Sequence, residues 1–255
     1  MILDDIKGLR VLITGASSGI GAAVALAFAE HGAAVAVHYN SSAAEAKEIV
    51  AKITAAGGKA VIVSGDVRDP TQAGAIVEQA VAGLGGLDVL INNAGGMVET
   101  QRFASYSDAI YDQVMDLNLR SVLSVTRAAH PHLKASGHGV IINTGSVAGR
   151  NGGQPGSGLY AASKAALHSL TKGMANEFAP DNIRVNTLAP GLMLTRFHAH
   201  TSQERLDSIR GNIPLRRLGT AEDCVGPCLF LASEAMSGYV TGQTIDVNGG
   251  RMIPG

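Results

Sequence analysis

Tryptophan is absent, and phenylalanine and tyrosine bring the aromatic share to only 4%. With 46% hydrophobic residues, the core must be built from alanine, valine, isoleucine and leucine. Such small side chains suit close packing of helices on a sheet. Only two cysteines occur in 255 residues, Cys224 and Cys228. Two ligands cannot close a tetrahedral zinc site. A chain of this length can bury about three quarters of its unfolded surface and needs no disulfide staple. Both cysteines are therefore expected to be reduced core thiols in a reducing compartment. There is no basic run, and the net charge is −1, so nothing here invites a nucleic acid or an anionic membrane. No apolar run reaches the roughly 20 residues of a membrane span. The acidic start Met1-Ile2-Leu3-Asp4-Asp5 enters a strand by Val11 and leaves no room for a signal peptide. The expectation is a soluble, cytoplasmic protein. His130/His132 and His198/His200 are spaced i, i+2, which a helix does not place on one face. No metal site is expected, and these histidines read as solvated or capping residues.

What the chain does have is alternation. Short apolar runs at Val11–Ile13, Ala33–Val37, Ala60–Val63, Val89–Ile91, Val140–Ile142, Val185–Leu188 and Thr244–Val247 read as strands. They are near-continuously apolar and rich in β-branched residues, as strands covered on both faces are. Helical periodicity fills about 20–31, 41–56, 71–83, 107–134, 159–178 and 221–232. The spacing predicts an α/β fold over 1–255: a single doubly wound domain with a seven-stranded parallel sheet and helices on both faces. The alternation lapses over 191–219, where Gly191, Gly211, Pro214 and Gly219 punctuate a polar stretch. It follows a strand's carboxyl end, where ligands bind in open sheets, and so reads as a lid.

The chemistry-bearing residues gather at strand ends. The first strand runs into Thr14-Gly15-Ala16-Ser17-Ser18-Gly19-Ile20-Gly21 and then a helix. Gly15 would permit the turn, Gly19 backbone approach to a pyrophosphate, and Gly21 close helix packing. The helix amide groups from Ile20 onward would face the phosphates. Asp66-Val67 follows the third strand, Asn92-Asn93-Ala94-Gly95 the fourth, Thr144-Gly145-Ser146 the fifth and Pro190-Gly191 the sixth. Each could be turn chemistry alone; their shared edge is the argument. In the helix from about 159, Tyr160 and Lys164 lie one turn apart on one face, with Cβ atoms about 5–6 Å apart. A phenol with a pKa near 10 is a poor base, and a neighbouring ammonium favours its ionised form. Lowering it by about three units requires about 4 kcal/mol, more than a screened surface pair supplies. A cleft shared with a cationic nicotinamide ring could supply it.

Together these motifs resemble those of the short-chain dehydrogenase/reductases, and the similarity runs from about Gly8 to Gly250. The resemblance implies an NAD(P)-dependent oxidoreductase acting on CH–OH groups, nearest to the 3-oxoacyl-carrier-protein reductases and the sugar and polyol dehydrogenases. It implies Tyr160 as general acid/base, Ser146 holding the substrate oxygen, and Lys164 binding the nicotinamide ribose and lowering the tyrosine's pKa. Asn118, within Asp116-Leu117-Asn118-Leu119, matches the family's fourth catalytic residue, which orders a water beside the lysine. The cofactor would be lined by Asn93, Ala94, Gly95, Pro190 and Gly191, with Asp66 and Val67 at its adenine and Thr195 at its carboxamide. A homotetramer is implied.

Two departures stand out. The Ser146-to-Tyr160 interval is one residue longer than the family pattern, in a loop holding Gly149, Gly152, Gly153, Gly156 and Gly158, and Gly96 replaces a bulkier apolar residue. An NAD-specific site needs a carboxylate at the end of the second strand. Here that end reads His38-Tyr39-Asn40-Ser41-Ser42, with no acid before Glu45. Asn40, Ser41 and the next helix's N-terminus can accept a 2′-phosphate, so NADP is expected, with NAD as the alternative. The small-molecule carbonyl or alcohol substrate is not identified. Two other readings compete: a catalytically idle nucleotide-binding regulator, and a methyltransferase using a similar glycine loop.

Overall fold

In the computed structural model, which describes residues 3–195 and 201–253, the apolar runs form seven strands. These are β1 Arg10–Ile13, β2 Ala34–Tyr39, β3 Lys59–Ser64, β4 Val89–Asn92, β5 Gly139–Thr144, β6 Ile183–Pro190 and β7 Thr244–Val247. They form one sheet in the order β3-β2-β1-β4-β5-β6-β7, and every neighbouring pair is parallel. The order reverses between β1 and β4, which puts a crevice at their carboxyl ends.

Helices α1 Gly19–Glu30, α2 Ala43–Ala55 and α3 Pro70–Leu84 connect the first four strands. Beyond β4 come α4 Asp108–Met115, α5 Ser121–Ser136, the short α6 Ala148–Asn151, α7 Gly158–Phe178, α8 Gln203–Gly211, α9 Val225–Ala232 and the short α10 Glu234–Ser237. Alternate strand residues feed two cores. Val11, Ile13, Val35 and Val37 pack with Phe28 of α1, Ile53 of α2 and Leu229 of α9. Leu12, Ala36, Leu90 and Ile141 pack with Ile76 of α3, Leu133 of α5 and Met174 of α7. Both faces are covered, which is why the central strands carry no polar alternation. Cys224 and Cys228 are free and buried in the first core. Burial pushes both thiols up, that of Cys224 to about 12.

The structure corrects the sequence reading at three places. The helix expected over 107–134 is interrupted by a π turn at Asp116–Arg120. Asn118 Nδ2 donates to Val114 O at 2.9 Å and Ser121 Oγ to Leu117 O at 2.6 Å. Side chains thus take carbonyls of the helical ladder, and Ser121 N reaches back to Asp116 O. Within 191–219, α8 forms, and Leu206 and Ile209 pack on Leu192, Ile213 and Leu218 in a small apolar cluster. The histidines of α5 are half-buried and engage carboxylates rather than helix ends: His130 Nε2 lies 2.9 Å from Asp181 Oδ2 and His132 Nε2 3.1 Å from Glu78 Oε1. His198 and His200 lie outside the described residues. Among the described residues no group of His, Cys, Asp and Glu could hold a metal ion, and no helix is long and apolar enough to cross a membrane.

Candidate active site

The glycine turn is sewn to the strands on either side of the crevice. Thr14 Oγ1 accepts from Asn93 N at 2.9 Å and Ala94 N at 3.0 Å. Asn93 Nδ2 donates to Thr14 O and Gly15 O. Gly15 adopts φ +64°. A Cβ on Gly21 would lie 2.4 Å from Gly15 O and 2.6 Å from Asn93 Nδ2, so the helix start can approach the turn this closely only as glycine. His38, at the end of β2, is turned inward rather than toward the crevice. Its Nδ1 accepts from Gly15 N at 3.0 Å and its Nε2 donates to Gly65 O at 3.0 Å. Both bonds require the neutral ring with the proton on Nε2, and burial holds its pKa below the usual histidine value.

These elements open onto one cleft of about 1060 Å³. Gly15, Ser17, Ser18, Gly19 and Ile20 line one end, beside Asn40 and Ser41. Ser18 is the N-cap of α1 and its side chain makes no capping bond; no acid stands in the helix's first turn. The middle is lined by Asn93, Ala94 and Gly95, then Ser146, Tyr160 and Lys164, and beyond them Pro190, Gly191 and Thr195. Gly21, Asp66, Val67 and Asn118 do not line it. Val67 is buried in the core. The Asp66 carboxylate is held by the Arg68 guanidinium at 2.6–3.0 Å, which keeps its pKa low. A cradle of this length, with free helix amides at one end and no acid along its lining, fits a phosphate-linked dinucleotide.

Helix α7 delivers the central side chains. A buried polar chain aligns it with the sheet: Asn92 Nδ2 donates to Asn143 Oδ1, Asn143 Nδ2 to Thr171 Oγ1, and Thr187 Oγ1 to Thr171 Oγ1, at 2.7–2.9 Å. Tyr160 shares a hydrogen bond with Ser146. Lys164 is buried and its Nζ donates to Thr144 O at 2.8 Å, 5.8 Å from the Tyr160 ring centroid. Burial lowers the lysine's pKa to about 8. The tyrosine's is raised by burial, opposed by the Ser146 bond. Lys164 stands one helical turn from Tyr160. Its ammonium is directed at the Thr144 carbonyl, and its own charge is disfavoured.

Asn118 stands behind this group. Its Oδ1 accepts from Gly96 N at 3.0 Å and its Nδ2 donates to Gly96 O at 2.8 Å. A Cβ on Gly95 would lie 2.9 Å from Asn118 Oδ1 and 3.0 Å from Lys164 Nζ. Asn118 Oδ1 and Lys164 Nζ thus both crowd the space that a side chain on Gly95 would take. One on Gly96 would make only ordinary contact with Leu117. The interval between Ser146 and Tyr160 folds as α6 and a loop that puts Asn151, Gly153, Gln154 and Ser157 on the cleft wall. Chemically, the cleft holds a phenol able to give or take a proton, a hydroxyl beside it and a cation one helical turn away. Arg251, after β7, also lines it; following the last apolar run, it carried no periodic signal that marks a site.

A doubly wound sheet with a glycine turn at its switch point, and Ser, Tyr and Lys over the next strand end, defines a dinucleotide-binding α/β protein. A family model described as enoyl-(acyl carrier protein) reductase matches residues 15–251. The 3-oxoacyl-[acyl-carrier-protein] reductase of Staphylococcus aureus is 38% identical over 94% of this chain and 96% of its own. The 2-dehydro-3-deoxy-D-gluconate 5-dehydrogenase of Dickeya dadantii is 38% identical over 98% of each chain. Among solved structures, an NADH-dependent reductase responsible for alginate metabolism superposes with a TM-score of 0.91 at 41% identity, covering 98% of this chain and 100% of that one. A short-chain dehydrogenase from Burkholderia cenocepacia in complex with NADP gives 0.90 at 33%, covering 97% and 99%. The chain belongs to the short-chain dehydrogenase/reductase family and is a nicotinamide-dependent oxidoreductase. The idle-regulator and methyltransferase readings fall with that.

Proposed function

We propose that this enzyme interconverts a carbonyl and an alcohol on a small polar substrate, with Tyr160 as the general acid/base. The observation that carries the reading is the Tyr160–Ser146 hydrogen bond in a cleft where Lys164 is buried one turn on. The bound nicotinamide would supply or accept the hydride. Ser146 holds the substrate oxygen against the Tyr160 hydroxyl, and Tyr160 gives that oxygen a proton in reduction or takes one in oxidation. Lys164 holds the nicotinamide ribose, and its charge favours the ionised tyrosine. Asn118 fixes Gly96 and stands beside the lysine, where it can order a water. Gly15 and Gly19 with Ser17, Ser18 and Ile20 form the phosphate end, and Gly21 lets the helix pack against the turn. Asn93, Ala94, Gly95, Pro190, Gly191 and Thr195 form the nicotinamide end, and Asp66 and Val67 are assigned to the adenine by the family pattern alone.

NADP is the favoured cofactor, because among the described residues no carboxylate lines the cleft and Asn40, Ser41 and Ser42 do. NAD is the second reading, favoured by the NADH-dependent relative at 41% identity. Asn151, Gln154, Ser157 and Thr100 on the wall support a hydroxylated substrate, a sugar or sugar derivative, over a long acyl chain. The chain acts as one catalytic domain with 191–219 as its lid, in a cytoplasmic homotetramer. The test is turnover of NADPH and NADH with a panel of ketoses, keto-acids and 3-oxoacyl thioesters. Consumption of NADPH with the hydroxylated carbonyls is expected; no consumption of either cofactor with any of them would defeat the reading.

A further inference from the structure

Among the described residues three charged side chains line the cleft, Lys164, Arg205 and Arg251, and no Asp or Glu does. Lys164 lies deep and is committed to the Thr144 carbonyl. The two arginines differ from most others in the chain. Arg10, Arg68, Arg120, Arg150, Arg184, Arg210 and Arg217 each pair with a carboxylate. Among the described residues neither Arg205 nor Arg251 has such a partner.

Their anchoring says which end of the cleft they serve. Arg251 sits in a loop built around Asn248, whose Oδ1 accepts from Gly250 N at 2.9 Å and whose Nδ2 donates to Met252 O at 3.0 Å. Asn248 itself packs on the strand-end glycine: a Cβ on Gly191 would lie 2.9 Å from Asn248 Cα. This loop follows the edge strand β7, and β1, β4, β5 and β6 separate it from β2 and its Asn40-Ser41 end. Arg251 is therefore remote from the dinucleotide's adenosine end. Arg205 comes from α8, which Leu206 and Ile209 fasten to Leu192, Ile213 and Leu218.

We infer that Arg251, joined by Arg205 from the lid segment, reads a carboxylate on the substrate, so that the enzyme acts on a keto-acid or sugar acid. The inference rests on the oxidoreductase reading above and narrows its substrate class. A guanidinium fork matches a carboxylate in two parallel hydrogen bonds, and with no acid along the lining nothing competes for it. A neutral sugar would offer neither cation a carboxylate.

The test is equilibrium binding to the NADPH-loaded enzyme, using D-gluconate and D-glucitol, which differ at one terminal carbon as carboxylate against alcohol. Gluconate is expected to bind about 10-fold or more tightly, with a preference that shrinks as salt rises. Arg251→Gln should remove most of that preference, Arg251→Lys should restore part of it, and Arg205→Gln should lower it with the Arg251 loop untouched. Equal affinities, no measurable gluconate binding, or a preference unchanged in both glutamine variants would overturn the inference. Because no turnover is read, its failure is distinguishable from that of the reaction: neutral ketoses could still be reduced by an enzyme that ignores carboxylates.

Discussion

At Asn40 a single atom exchange separates the two cofactor readings. The side chain lines the cleft beside Ser41 and Ser42, and α2 begins one residue after Ser42 with no capping bond from its side chain. Asn40→Asp would place a carboxylate where a 2′-phosphate is proposed to sit. Like charges about 4 Å apart repel by several kcal/mol at an effective dielectric near 20. The same carboxylate could accept from the free 2′-hydroxyl of NADH. NADPH affinity should therefore fall about 10-fold or more, while that of NADH holds or rises. Fluorescence titration of wild type and variant with both reduced cofactors checks this; a wild type that prefers NADH, with neither affinity altered in the variant, would return the site to NAD.

At the scale of elements, α7 carries a second buried titratable group, one turn beyond the lysine. His168 is buried, and its Nε2 has no hydrogen-bonding partner among the described residues. Burial lowers its pKa from 6.5 to about 4, helped by the charges of Arg150, Lys164 and Lys172. The unfolded chain therefore binds a proton between about pH 6.5 and pH 4 that the folded chain refuses. Stability from this group is present above 6.5 and is lost as pH falls through the window. Buried His38 acts in the same direction. The melting temperature should drop between pH 6.5 and 4, and His168→Gln should flatten that drop. An unchanged slope in the variant would mean that His168 is not buried neutral.

Elements also mark how far the sequence could be read. The strands and long helices were legible because apolar periodicity reports which faces are covered, and the glycine turn because its spacing serves local geometry. The π turn was not, since the Asn118 and Ser121 side chains take ladder carbonyls there and Asn118 also bonds Gly96, a partner 22 residues away. Helix α8, Gln203–Gly211, has only Leu206 and Ile209 to show a period. Periodicity placed His38 on β2 but could not say that its ring would turn in to hold Gly15. At the centre, spacing put Tyr160 and Lys164 on one face. Their protonation energetics depended on burial and on the Thr144 carbonyl, which spacing does not encode.

Over the whole molecule, α7 is apolar on more than its core side. Ala161, Leu167, Met174 and Ala175 are buried in the chain, whereas Ala162 and Ala165 are exposed and Ala166 and Leu170 half-buried. On α4 and α5, Tyr111 and Leu123 are each 42% exposed. A helix facing solvent would show a narrower apolar stripe, so these surfaces support the proposed tetramer, with dihedral closure. Light scattering at micromolar concentration should return four chains per particle; a monomer would refute the assembly.

The proposed chemistry depends on one hydroxyl. Tyr160→Phe removes the proton donor and the Ser146 hydrogen bond yet leaves the ring, the glycine turn and Lys164 in place. The decisive measurement pairs steady-state turnover with cofactor titration on this variant. A fall of about 100-fold or more in kcat, the scale of a general acid/base, with cofactor affinity nearly unchanged, is the predicted result; turnover close to wild type would contradict the role given to Tyr160.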